Sequence, residues 1–211
     1  MAERGNLYVI SAPSGAGKTT LVKAIIESCQ GITVSISHTT RPKRPAEING
    51  INYYFISETE FLQMQERDEF LEHATVFKHH YGTSRLWVEE TLSKGIDVIL
   101  EIDWQGCQQI QKLIPECISI FILPPSLNAL AERLNLRNQD KPEIIQQRLA
   151  DVREAASHIH EYHYVVMNDH FETAVSELKS IIQANRLREP RQFKKFAPLL
   201  KALADVQKIS D

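Results

Sequence analysis

The sequence predicts an α/β fold in which a parallel sheet carries helices on both faces. Two observations predict it. Apolar, β-favouring runs alternate along the chain with stretches whose apolar residues have helical spacing. The run at 96–103 is almost continuously apolar, which is typical of a strand buried inside a parallel sheet. The 211 residues, 43% of them hydrophobic, fit one globular domain with small insertions.

The elements follow in order from the first strand, 7–11, which leads through a loop of small residues into a helix. The apolar residues of that helix run from Leu21 to Ile26 at helical spacing. Ser57 and Glu60 form a capping box that begins the second helix. Further strands are predicted at 32–37, 52–56, 70–77, 96–103, 118–123 and 164–167, and further helices at 84–93, after Gln105, and at 127–136, 143–157 and 171–187.

Two stretches interrupt this alternation and a third follows it. A segment rich in Arg, Lys and Pro begins an inserted subdomain, and a polar break near Asn138 is interpreted as a lid. The basic C-terminal tail is either a solvated helix or an arm that packs on a neighbouring subunit in a homo-oligomer. The predicted division is a core at 1–36, 84–136 and 151–190, an inserted subdomain at 37–83, a lid at 137–150 and a tail at 191–211.

Composition limits the class of protein. The formal net charge is −3, which argues against nucleic acid as the main partner. Three cysteines without a Cys-x-x-Cys pair indicate neither a disulfide framework nor a zinc site, and no run of residues is apolar enough to span a membrane. A soluble, cytoplasmic protein with reduced thiols and no membrane partner is therefore expected.

The loop after the first strand has the features of a phosphate-binding loop. Gly15 and Gly17 allow backbone N–H groups to turn towards a phosphate chain, Lys18 would reach the β- and γ-phosphates, and Thr19 would hold Mg²⁺. Ala12 stands where the pattern usually has Gly, and the loop is expected to tolerate it if its φ stays negative. The predicted ATP-phosphate-binding residues are Ala12, Pro13, Ser14, Gly15, Ala16, Gly17, Lys18, Thr19 and Thr20.

A carboxylate and a basic cluster add to this loop. Asp103 follows the apolar strand and is predicted to bind Mg²⁺ beside Thr19, directly or through water. Arg41 and Arg44, with Tyr53, lie in a proline-stiffened loop where two guanidinium groups could grip one phosphate. From spacing alone, a solvated basic loop is an equal alternative.

Taken together, these residues resemble the guanylate kinases from residue 7 to about 187. The resemblance is carried by motifs that occur in the family's order: 11–18, Thr39-Thr40-Arg41 through Arg44, Glu47, Gly50 and Tyr53, then Tyr81-Gly82-Thr83, Ile102-Asp103-Trp104-Gln105-Gly106, and Asn168-Asp169. It implies a P-loop fold and Mg²⁺-dependent phosphoryl transfer from ATP to GMP, and dGMP is a further expected acceptor.

The resemblance also implies residue roles. Glu72 would accept from guanine N1–H and N2–H₂, and Thr83 would donate to O6, whereas adenine would leave these groups unpaired. The division of roles between Glu101 and Asp103 stays open. The implied GMP-binding residues are Ser37, Arg41, Arg44, Tyr53 and Tyr81 for the phosphate and Glu72, Thr83 and Glu101 for the base.

On the ATP side, Arg137 and Arg148 match the family's lid arginines and are implied to be catalytic together with Lys18. Asn168 and Asp169 match the region of the ATP base, although His170 stands where the family often has a second acid. Ala46 likewise replaces a usual Gly. His158, His160 and His163 are interpreted as surface residues of a helix end rather than metal ligands.

Three alternatives differ in the residues they would need. A phosphopeptide-binding module on the same fold could lose Lys18 and the lid arginines, which are present here. A related phosphotransferase for another phosphorylated acceptor would keep the ATP side but would not need Glu72, Thr83 and Glu101 together. A P-loop switch or motor would need partner-sensing segments, and the sequence shows none.

Overall fold

The computed structural model describes residues 4–76, 78–130 and 152–206, and this part of the chain contains two sheets. The strands are β1 (Leu7–Ser11), β2 (Ile32–Val34), β3 (His38–Thr39), β4 (Tyr54–Phe55), β5 (Phe70–Val76), β6 (His79–Ser84), β7 (Asp97–Glu101), β8 (Ile118–Leu123) and β9 (Tyr164–Met167). The helices are α1 (Lys18–Ser28), α2 (Glu58–Glu66), α3 (Arg85–Ser93), α4 (Trp104–Leu113), α5 (Phe171–Arg186), α6 (Glu189–Lys195) and α7 (Ala197–Val206).

The larger sheet has the order β2-β7-β1-β8-β9, and all its strand pairs are parallel. One face packs on α1 and α5 through residues such as Leu21 and Leu178, and the other packs on α3 and α4 through Val88 and Ile110. This confirms the predicted parallel sheet with helices on both faces. Because all five strands run the same way, the loop after β1 and the end of β7 lie at one edge of the sheet.

The smaller sheet has the order β4-β3-β6-β5. An antiparallel hairpin joins β5 to β6, and β3 bridges β6 to the short parallel strand β4. Phe61 of α2 stacks on Phe70 with ring centroids 4.5 Å apart, which gives this sheet its own small apolar contact. All four strands fall between His38 and Ser84, so the sheet occupies the proposed inserted subdomain, whose limits of 37–83 stay a prediction.

Some strands and helices end at residues other than those predicted, because caps and short strand pairings leave no periodic pattern in the sequence. The strand predicted at 96–103 ends at Glu101, because Asp103 instead caps α4 by accepting from Gly106 N. The predicted strand 52–56 is reduced to β4, and β3 was not predicted, since a two-residue strand carries no periodic signal. The lid and most of the helices predicted at 127–136 and 143–157 lie outside the described residues; 127–130 and 152–157 are helical.

The basic tail begins by neutralising a buried carboxylate. Asp97, fully buried at the start of β7, accepts from Arg186 Nε at 2.7 Å, Arg191 Nη1 at 3.0 Å and the Asn6 backbone N–H at 2.7 Å. These ion pairs join α5 and α6 to the end of the sheet opposite the phosphate loop. No helix among the described residues is long and apolar enough to cross a membrane.

Candidate active site

The phosphate loop connects β1 directly to α1. Gly15 and Gly17 have φ values of 90° and 91°, a left-handed conformation that glycine adopts without steric cost. Among the described non-glycine residues only Asp68 and Lys78 have positive φ, so Ala12 keeps the negative φ on which its tolerance was predicted to depend. The loop therefore has the backbone turn that its glycines predict, at the N-terminus of a helix, where N–H groups and the helix dipole favour phosphate.

Asn168, the residue directly after β9, supports this loop. Its side-chain amide donates to Ala16 O at 2.7 Å, and its backbone N–H donates to Leu123 O at 2.7 Å. A Cβ atom on Gly17 would overlap the Asn168 amide nitrogen. The residue implied to lie at the ATP base thus has its side chain against the loop backbone, whereas the neighbouring Asp169 is exposed beside His170.

Lys18 lies between the loop and the end of β7. Its Nζ atom donates to Ile102 O at 3.4 Å. Burial lowers the pKa of Lys18, against the opposing effect of the carboxylates of Glu101 and Asp103. A phosphate chain in the loop would supply the negative charge that favours the ammonium form here.

The two carboxylates after β7 have different partners. Thr19 Oγ1 donates to Glu101 Oε2 at 2.9 Å. Asp103 accepts from Gly106 N at 3.0 Å and from Gln105 Nε2 at 3.1 Å. Thr19 therefore contacts Glu101, whereas the Asp103 carboxylate caps α4 because the chain turns into that helix after Ile102. A role for Asp103 in binding Mg²⁺ stays a prediction.

The oxygen atoms of Thr19 and Glu101 suit Mg²⁺, which prefers hydroxyl, carboxylate, phosphate and water ligands. Among the described residues no group of three or more His, Cys, Asp and Glu side chains could hold a metal. A nucleotide-bound Mg²⁺ needs no such group, because phosphate oxygens and water supply most of its ligands.

A second polar centre lies in the smaller sheet. Glu72 of β5 and Thr83 of β6 are cross-strand partners, and Thr83 Oγ1 donates to Glu72 Oε1 at 2.5 Å. Glu72 is only 3% exposed, and burial raises its pKa to about 7. A buried carboxyl next to a hydroxyl offers two acceptor oxygens and one donor, which complements a base edge with donors and an acceptor.

Arg41, Tyr53 and Tyr81, three of the residues implied to bind the GMP phosphate, lie close together. The Nη2 and Nη1 atoms of Arg41 donate to Glu47 Oε1 at 2.7 Å and Oε2 at 3.1 Å, and the Arg44 backbone N–H donates to Glu47 Oε2 at 2.8 Å. The guanidinium lies 5.4 Å from the ring centre of Tyr53, whose ring is 5.9 Å from that of Tyr81. In the sequence Glu47 appears only within the family motif, and its role in holding Arg41 was not predicted. The one indication in the sequence was a single carboxylate in an otherwise basic loop.

Other predicted residues divide into three groups. Ser37 is buried immediately before β3. The Arg44 side chain is exposed in the loop that follows Arg41. Arg137 and Arg148 lie outside the described residues. The surface interpretation is wrong for His158, which is half-buried, stacks on Trp104 at 3.8 Å between ring centres and lies 2.7 Å from Glu161.

The fold and the two centres define the class of protein. A phosphate loop with a lysine and a carboxylate forms one site at the edge of a parallel sheet. A separate sheet presents an arginine–tyrosine cluster and a buried carboxyl–hydroxyl pair. This arrangement defines a P-loop phosphotransferase.

Comparisons with known proteins give the family. The guanylate kinase family model matches residues 4–185. Guanylate kinases of Saccharophagus degradans and Hahella chejuensis are 54% and 56% identical over 203 and 204 residues, covering 96% and 97% of this chain and 99% and 98% of theirs. The crystal structure of guanylate kinase from Anaplasma phagocytophilum aligns with a TM-score of 0.77 at 32% identity over 90% of each chain. The chain belongs to the guanylate kinase family and is a nucleotide-binding transferase.

Proposed function

We propose that the two centres serve as donor and acceptor sites for one phosphoryl transfer. The chain transfers the γ-phosphoryl group of ATP to GMP and forms ADP and GDP. The observation that supports guanine as the acceptor base is the buried pair of Glu72 and Thr83. The same pocket would accept dGMP, because this pair faces the base rather than the sugar.

On the donor side, the backbone N–H groups of the loop hold the ATP phosphates, and Lys18 places its charge at the β- and γ-phosphates. Thr19 and Glu101 would hold Mg²⁺, directly or through water, because their oxygens converge at 2.9 Å. Bound Mg²⁺ supplies charge neutralisation of the transferring group. This assignment moves Glu101 from the base to the metal side and leaves Asp103 to shape the first turn of α4.

On the acceptor side, Arg41 and Tyr53 face the GMP phosphate together with Ser37, Arg44 and Tyr81. Glu47 accepts two hydrogen bonds from the Arg41 guanidinium, and Pro42 O accepts a third from Nη1 at 2.9 Å. Two of the five guanidinium N–H groups are then left for the phosphate. Glu72 accepts from guanine N1–H and N2–H₂. Thr83, which donates to Glu72 without nucleotide, exchanges that bond for one to guanine O6.

The chemical step needs orientation and charge more than a base. The attacking oxygen belongs to the GMP phosphate and is already anionic, so no side chain has to remove a proton. Lys18 and the proposed lid arginines Arg137 and Arg148 stabilise charge on the transferring group. Closure of the lid and of the inserted subdomain would exclude water as a competing acceptor.

GMP use is expected to depend on pH through Glu72. Its pKa of about 7 means that the carboxyl is mostly protonated at pH 6 and mostly ionised at pH 8, and guanine N1–H and N2–H₂ need the ionised form. KM for GMP should therefore be about tenfold higher at pH 6 than at pH 8. Steady-state kinetics across this range at saturating ATP measure it.

The phosphate of GMP also titrates near pH 6 and needs a control. Glu72→Gln retains the phosphate titration and removes that of the carboxyl. A wild-type pH profile of KM with the same slope as that of Glu72→Gln would show that Glu72 does not titrate on binding.

We also propose that the tail joins two copies of the chain. Phe193 of α6, Leu199 and Leu203 of α7, and Phe196 between the two helices are between 42% and 57% exposed, and a second copy would cover them. Light scattering should give at least twice the mass of one chain, and Phe193→Ser with Leu199→Ser should reduce it. A mass of one chain at all concentrations would contradict this.

Because Cys29, Cys107 and Cys117 are free, we place the reaction in the reducing cytoplasm.

A further inference from the structure

Gln109 of α4 binds the backbone of β5 through both ends of its side-chain amide. Its Nε2 donates to His73 O at 2.7 Å, and its Oε1 accepts from His73 N at 3.1 Å. β5 is an edge strand of the smaller sheet, so one row of its backbone groups has no neighbouring strand. The amide of Gln109 takes the place of such a strand at this one residue.

The same helix face also touches the residue before His73. Gly106 lies three positions before Gln109, one turn away on the same side of α4. A Cβ atom at Gly106 would overlap Glu72 Oε2, so the carboxyl group lies directly against the helix backbone. Side chains alternate along a strand, so α4 holds the backbone at His73 while Glu72 points into the first turn of the helix.

These contacts span the two parts of the proposed site. α4 packs on the larger sheet through Cys107 and Ile110, whereas Glu72 belongs to the smaller sheet. The position of Glu72 relative to the donor site therefore depends on what ties β5 to α4. The two hydrogen bonds of Gln109 are direct polar ties between these elements, one residue away from the carboxyl.

We infer that Gln109 is a positioning residue for guanine recognition: it fixes β5 against α4 and thereby sets the place of the Glu72 carboxylate. The inference rests on the proposed function, in which Glu72 binds the guanine N–H groups. Hydrogen bonds to a planar base edge tolerate little displacement, so a looser β5 weakens binding of GMP without altering the phosphate loop.

Gln109→Met tests this, because it keeps the length of the side chain and removes both hydrogen bonds. His73 is exposed, so its freed backbone groups can bond to water and the variant should fold. KM for GMP should rise roughly tenfold, equivalent to about 1.4 kcal/mol of weaker guanine binding at a displaced Glu72. kcat at saturating GMP and KM for ATP should stay within about twofold of wild type. Gln109→Ala should give the same direction of change.

The matched control is Gln111→Ala on the same helix. Gln111 also makes two cross-element hydrogen bonds, to Ser119 Oγ at 3.0 Å and Glu161 O at 2.8 Å, but neither partner belongs to β5. The Gln111→Ala variant should leave KM for GMP unchanged. If Gln109→Met and Gln111→Ala both lower the melting temperature and neither changes KM for GMP, Gln109 is merely structural and the inference is overturned.

A double-mutant cycle separates this inference from the proposed function. If Gln109 acts through Glu72, then Gln109→Met should change KM for GMP by less than about twofold in a Glu72→Gln background. Independent, multiplying effects would overturn the inference. A silent Glu72→Gln would instead contradict the proposed function, whereas an effective Glu72→Gln beside a silent Gln109→Met would overturn only the role of Gln109.

Discussion

Replacing Lys18 with alanine is expected to lower kcat for phosphoryl transfer by roughly 10²- to 10³-fold, the usual effect of removing one preorganised group that stabilises transition-state charge. Lys18 lies at the start of α1, with Nζ directed at Ile102 O beside the carboxylates at the end of β7. Its charge is therefore held at the position where the γ-phosphoryl group would leave ATP. The measurement is kcat at saturating ATP and GMP.

The fold should survive this change. Burial lowers the pKa of Lys18 in the nucleotide-free protein, so the ammonium is less favoured there than in the unfolded chain and its removal costs little stability. Lys23→Ala on the same helix is the matched control, since its side chain is 74% exposed and pairs only weakly with Glu27 at 3.8 Å. Near-normal turnover by Lys18→Ala would contradict the role given to this lysine.

Replacing Glu72 with glutamine is expected to lower kcat/KM for GMP by about 10²- to 10⁴-fold, because an amide N–H₂ would face the N–H donors of guanine and leave buried polar groups unpaired. KM for ATP should remain within about twofold of wild type. The preference for GMP over IMP, which lacks the 2-amino group, should fall in parallel. Kinetics with each acceptor at saturating ATP measure both effects.

Glu72→Gln should not lose activity by unfolding, because the raised pKa of Glu72 means that its ionised form destabilises the folded protein. A carboxyl whose pKa is raised to about 7 contributes stability below its unfolded value near 4.5 and loses that contribution as pH rises through 7. At pH 8, Glu72→Gln should therefore melt no lower than wild type. Glu66→Gln is the control for loss of one carboxylate, because Glu66 is an exposed residue of α2. Equal losses of GMP and ATP affinity would mean that Glu72 only supports the structure.

The parts of the fold that repeat were predictable from sequence. Continuous apolar strands and helices with a 3.6-residue spacing predicted the parallel sheet, and the loop of small residues before Lys18 predicted the phosphate loop. The guanine-binding roles of Glu72 and Thr83 came from the family resemblance rather than from spacing, because a single acid in a mixed strand carries no signal of burial. Their pairing across β5 and β6 became visible only in the structure.

The remaining details of the site come from contacts that depend on three-dimensional geometry. Glu101 and Asp103 are two residues apart, and only the turn into α4 decides that one meets Thr19 and the other caps the helix. The family resemblance places Asn168 near the ATP base, but sequence cannot show that its amide also supports the phosphate loop by donating to Ala16 O. Gln109 had no signal at all, since an amide that binds the backbone of a distant strand looks like any polar helix residue.

The most direct test of the acceptor assignment is ADP release from ATP and Mg²⁺ with GMP, dGMP, AMP, UMP and CMP offered separately and with no acceptor. We expect ADP formation that depends strongly on GMP, with dGMP also used and the other nucleotides inactive. ADP formation with AMP, UMP or CMP at a rate comparable to that with GMP would contradict the guanine pocket. GMP binding without ADP formation would instead indicate a binding module on this fold.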